Sequence, residues 1–179
     1  MIELSHSKRL QAAAIRYGER ELAQRAAALL AGGDEDPQFL EYLGGRASPG
    51  AIDGSWPRYW QRSWGARALE HYWVEGAATS VVLGLDDEHW RVRMVCARVC
   101  AIRELGVPEK LVELTLDDNW RVRDAATWAL GRVGESEHAD AVRELLSDPE
   151  PKVRERAEQA LAAFAERLDR PMDDYFFGF

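Results

Sequence analysis

In the second half of this chain, apolar residues recur at i, i+4, i+7 and i+8, and the set appears three times. The sets are Val92, Cys96, Val99 and Cys100; Val122, Ala126, Ala129 and Leu130; and Val153, Ala157, Ala160 and Leu161. Spacings of three and four fall on one face of an α-helix, so each set predicts a helix with one buried stripe. Many of these residues are small, which lets neighbouring helices approach closely. The sets sit in three related stretches: DDEHWRVRMVCARVCAI, DDNWRVRDAATWALGRV and DPEPKVRERAEQALAAF. Aligning the arginine after the valine puts Arg93, Arg123 and Arg154 30 and 31 residues apart. A fixed period of this size marks a solenoid, in which no single unit can bury its apolar face alone.

The same logic places the remaining elements. Residues 3–31 read as helix with a break at Gly18: Ala12, Ala13, Ala14 and Ile15 lie before it, and Leu22, Ala26, Leu29 and Leu30 follow. Gly32 and Gly33 stop this helix, and Pro37 can open a short one through Leu43. Residues 44–55, GGRASPGAIDGS, carry no period and read as the one clear loop. Ser55 is the expected cap of the helix PRYWQRSWGARALEHYW, with Pro57 in its first turn. A helix over 76–83 follows. First helices of the repeats are expected at 89–103, 119–132 and 150–167, with second helices at 108–115 and 136–146. Asp87, Asp118 and Asp148 precede the first helices, where an acid suits the helix N-terminus. One period earlier, Gln61, Gly65, Ala68 and Leu69 form a degenerate first set with Arg62 in the arginine column. The expected organisation is one structural domain, with 1–55 as a divergent helical cap and 56–179 as the solenoid.

The pattern aspartate, then V-R-x-x-A-x-x-A-L-G, written here as DDNWRVRDAATWALGRVG, resembles HEAT-like repeats of the short phycobilisome-lyase type. The resemblance covers about 60–167. It weakens at 86–102, where cysteines replace alanine and leucine, and 148–164 lacks the glycine after Leu161. The resemblance implies an all-α fold, an α-solenoid of helix pairs. It also implies a structural ladder of Asp87, Asp118 and Asp148 with Arg93, Arg123 and Arg154, and a function in binding proteins, with a minority of members acting on nucleic acid or as lyases.

Composition narrows the function further. The net charge is −8, and residues 85–179 hold 14 basic against 21 acidic side chains. Nucleic-acid binders need a basic face to neutralise phosphate, so that role is disfavoured unless a local basic stripe exists. No stretch is apolar enough to cross a membrane, and MIELSHSKRLQAAAIRYGER lacks the core of a secretory signal, so the expected compartment is the cytoplasm. Cys96 and Cys100 fall in the apolar columns and read as reduced core residues; His6, His71, His89 and His138 have no metal-ligand spacing. No metal, cofactor or catalytic set is expected.

Several aromatic residues exceed what stacking needs. Trp90 and Trp120 share a column, and each precedes an arginine, Arg91 and Arg121. Trp and Arg dominate interface hot spots, so these pairs are candidate anchors for a partner protein, or covers for the seams between repeats. Trp56, Trp60 and Trp64 form a stripe that either packs the N-terminal helices or lines a pocket beneath 44–55. In the second case it would hold a chromophore or small ligand, as a lyase- or chaperone-like factor does. Trp120 and Asp124, with Arg154 or Arg156, match the tryptophan, aspartate and arginine of HEAT-like alkylpurine DNA glycosylases, which makes a DNA-lesion enzyme or DNA binder an alternative. The terminal PMDDYFFGF carries Tyr175, Phe176, Phe177 and Phe179, which either cap the last repeat or dock on a partner or a second copy. The leading expectation is a non-enzymatic scaffold, adaptor or assembly factor.

Overall fold

The computed structural model describes residues 4–168, so the aromatic tail at 171–179 lies outside the described residues. Every regular element among them is helical. The chain divides into two compact units, Met1–Val92 and Arg93–Phe179.

In the first unit, α1 (His6–Tyr17) and α2 (Glu19–Leu30) meet at Gly18. Gly18 has φ +84°, a conformation glycine adopts without the Cβ penalty, and its N–H closes α1 on the Ala14 carbonyl. Asp36 caps α3 (Pro37–Gly44) by accepting the Phe39 N–H at 2.9 Å. Residues 45–52 depart from the expected loop: Gly45–Ala47 form a 3₁₀ turn and Ser48–Ile52 a short helix, α4. Ser48 Oγ donates to the Gly45 carbonyl at 2.7 Å, and Pro49 sits in the first turn of α4, where it needs no N–H partner. Helix α5 (Tyr59–Leu69) has no side-chain cap. Ser55 is not that cap; its N–H closes a turn on Asp53 instead. A 3₁₀ turn and α6 (Ala78–Gly84) follow.

Helices α2 and α5 pack against each other through Gly65. A Cβ there would lie 2.5 Å from the Ala26 carbonyl oxygen and 2.9 Å from the Leu30 nitrogen. Both are backbone atoms, so the absence of a side chain sets the helix spacing.

Helix α7 (Trp90–Arg103) starts at the end of the first unit and runs into the second. The second unit continues with α8 (Pro108–Leu114), α9 (Trp120–Val133), α10 (Ala139–Glu144) and α11 (Pro151–Arg167). Its core is the predicted stripe. Val99, Cys96, Cys100, Val122, Ala126, Ala129, Leu130, Val153, Ala157 and Leu161 have no accessible surface. Cys96 and Cys100 carry free thiols, and burial pushes that of Cys100 up to about 12. Helix α9 packs on α8 and α11, and α10 on α11, the helix-pair pattern of an α-solenoid.

Candidate functional site: a cationic groove beside Trp120

Each first helix is entered through an aspartate three residues upstream, and that aspartate grips an arginine of the preceding repeat. Arg62 Nε and Nη2 meet the Asp87 carboxylate at 2.6 and 3.0 Å. Arg93 meets Asp117 at 2.7 and 3.1 Å, and Arg123 meets Asp148 at 2.7 and 2.9 Å. One oxygen of each aspartate also accepts the N–H two residues on, from His89, Asn119 and Glu150, each at 2.8 Å.

The ladder acid in the middle repeat is therefore Asp117, one residue before the expected Asp118. Asp118 is exposed and offers Arg123 only its carbonyl, at 3.3 Å. The caps themselves are Asn119 for α9 and Glu150 for α11. Arg123 holds the Asp148 carboxyl below the usual carboxylate range. These residues form bidentate, part-buried pairs, and their chemistry is structural.

In the first unit the tryptophan stripe divides. Trp64 is buried, and a Cβ on Gly44 would fall 2.6 Å from its ring. Trp56 is 39% exposed and covers Gly50. Of the three, Trp56 alone lines the cavity of about 380 Å³ under α4, together with Asp34, Glu35, Arg58 and Gln61. A pocket walled by all three tryptophans is not formed there. Trp60 turns instead toward a second cluster. Its ring lies under Arg91 at 4.9 Å, Arg91 also covers Trp90 at 4.4 Å, and Tyr59 stacks on His89 with centroids 3.4 Å apart.

The second unit holds a groove of about 370 Å³ lined by residues of its first helices, α7, α9 and α11. Trp120 is its half-buried floor, flanked by Arg121 at 4.4 Å and Lys152 at 5.2 Å from the ring centroid. Cations over the face of tryptophan are attracted by its ring quadrupole. Arg98 and Arg156 complete four basic side chains lining the groove, against two acids, Asp124 and Glu155. Arg156 Nε donates to Asp124 at 3.1 Å and its Nη1 to Gln159 at 2.9 Å. A local basic stripe thus exists inside an acidic chain. Sequence reasoning singled out Trp120 and Arg121 but not Lys152 or Arg98. Both come from neighbouring repeats: Lys152 stands in the same basic column as Arg91 and Arg121, where the lost tryptophan beside it hid the match, whereas Arg98 aligns with Trp128 and Gln159 and has no counterpart.

Among the described residues no cluster of histidine, cysteine, aspartate or glutamate has metal-binding geometry, and no helix is long and apolar enough to cross a membrane. Antiparallel helix pairs joined by an Arg–Asp ladder define an all-α solenoid of the HEAT type. Residues 77–162 match the family model for HEAT repeats, and this part of the chain is built of HEAT-like repeats. HEAT repeats are in general protein-interaction modules. No curated protein matches the chain.

Proposed function

We propose that this chain is a non-enzymatic protein-interaction module, a scaffold or adaptor, that binds an acidic segment of its partner in the Trp120 groove. The observation that carries this reading is the Trp120 ring flanked by Arg121 and Lys152, within a groove lined by four bases and two acids. A chain of net charge −8 repels acidic partners at long range, so a basic groove restricts where they can land. Trp120 supplies the apolar anchor, and Arg121 and Lys152 supply charge and fix its orientation. The rigid helix pairs reduce the ordering cost of binding. The Trp90–Arg91–Trp60 cluster of the first unit has the same chemistry on a smaller scale.

Affinity capture from the native source is the test. It uses the wild-type chain beside a Trp120→Ala/Arg121→Ala variant with an unchanged melting temperature. Wild type should retain a stoichiometric partner that dissociates as salt is raised, and the variant should lose it at least about tenfold. Equal retention by both chains would sink the groove as the binding surface.

One observation favours a second reading, a DNA-lesion enzyme or DNA binder. Trp120, Asp124 and Arg156 line the same groove, with Arg156 rather than Arg154 as the arginine. A gel shift with duplex DNA at low salt, lost in the same variant, would move the assignment to nucleic acid.

A further inference from the structure

The arginine ladder of the second unit has one more arginine than it has acids. Arg123 and Arg154 are anchored identically at their Nη1 atoms. Arg123 Nη1 donates to the carbonyls of Asp117 and Asp118 at 2.8 and 3.3 Å, and Arg154 Nη1 to those of Asp148 and Pro149 at 2.7 and 3.2 Å. On Arg123 the remaining edge, Nε and Nη2, grips Asp148. On Arg154 the same edge meets no acceptor among the described residues. The guanidinium is half-buried and held in place by two carbonyls, so its fork is already set for a planar carboxylate.

The geometry points to Arg154 as a binding site for an aspartate carboxylate supplied by another protein, one that continues the ladder across an intermolecular contact. The occupant is an aspartate at the head of a helix, whose other oxygen takes the N–H two residues on, as Asp117 and Asp148 do. This chain does not carry that residue in register. Ladder acids follow their arginines by 24 or 25 residues, and at that distance from Arg154 the sequence has Gly178 and Phe179. A second copy stacked in register does not supply it either. Each ladder acid precedes the arginine of its own repeat by six residues, and six residues before Arg62 stands Trp56. The occupant assigned here is an aspartate of a different helical protein. This site is independent of the Trp120 groove.

The probe is the synthetic peptide LLSDPEPKVRERAEQALAAF, which reproduces residues 145–164 with their ladder aspartate, beside the same peptide with Asp148→Asn. The readout is the arginine Nε–H resonances of the full chain by NMR. The Asp peptide should shift the Arg154 signal in a saturable way and leave those of Arg93 and Arg123, already engaged, in place. The Asn peptide should bind at least about tenfold more weakly, because the charged bidentate pair is lost. In an Arg154→Lys chain the discrimination between the two peptides should disappear, because lysine cannot form the fork. An Arg154 signal that stays still at millimolar peptide, or that responds equally to both peptides, overturns the proposal. Peptide that moves the Trp120 indole signal and not Arg154 overturns it while leaving the groove reading intact. An Arg154 signal that shifts with protein concentration alone would overturn the assignment to a different protein in favour of a second copy.

Discussion

Asp148 and Asp118 are both aspartates just upstream of a helix, yet they do different work. The Asp148 side chain is 4% exposed and the Arg123 side chain 14%, so removing one charge strands the other in a poorly solvated place. Asp148→Asn should cost about 2–4 kcal/mol of unfolding free energy in urea, because breaking one side of a buried pair leaves an uncompensated charge. Asp118→Asn touches only an exposed side chain and should change stability by less than about 0.5 kcal/mol. Equal effects from the two substitutions would mean that the ladder runs through Asp118. A doublet, Asp117-Asp118, precedes α9, and the sequence alone offers no way to choose between its members. Three-dimensional register decides: the arginine must reach a carboxylate that also accepts the N–H two residues on, and only Asp117 does both.

At the scale of the element, the helix boundaries follow closely from local signals. The first helices expected at 89–103, 119–132 and 150–167 are found at Trp90–Arg103, Trp120–Val133 and Pro151–Arg167. Their stripes sit where a period of 3.6 puts them. Residues 44–55 show the limit of this reading. Gly45, Pro49 and Gly50 read as breakers, but Ser48 and a proline in the first turn support a short helix under the Trp56 ring. Gly65 is the opposite case. It is a helix-weakening residue in the middle of α5, kept because α2 lies against it. Gly65→Ala should raise helix propensity and still destabilise the protein by about 1–3 kcal/mol, because the new methyl meets immovable backbone. Urea denaturation would check this, and a stabilising Gly65→Ala would show that the helices can separate at no cost.

Across the whole molecule, stability should depend on pH through two groups with lowered pKa values. Burial, together with nearby Arg67, Arg9 and His71, lowers His6 to about 4, and its buried Nε2 has no hydrogen-bond partner among the described residues. The folded state therefore keeps His6 neutral where the unfolded chain, near 6.5, already takes up a proton. His6 contributes fully above pH 6.5, and that contribution is lost as pH falls toward 4. Asp148 is lowered by its bond to Arg123, so its contribution is intact above the ordinary carboxylate range and disappears only in stronger acid. Urea midpoints should decline between pH 7 and 5, and His6→Gln should flatten that decline. An unchanged slope in His6→Gln would assign the decline to other groups.

Periodicity by itself determined the helices, the repeat, the buried stripes and the arginine column, because each depends on which side chains face inward along one helix. Tertiary structure alone decided which of two neighbouring aspartates closes a rung, which tryptophan is core and which lines a cavity. It also decided where four bases gather in an acidic chain. Those outcomes depend on side chains from different repeats meeting in space. The repeat puts a base at 91, 121 and 152, but that Lys152 lies 5.2 Å from the ring of Trp120, 32 positions away, is settled only by how the helices pack.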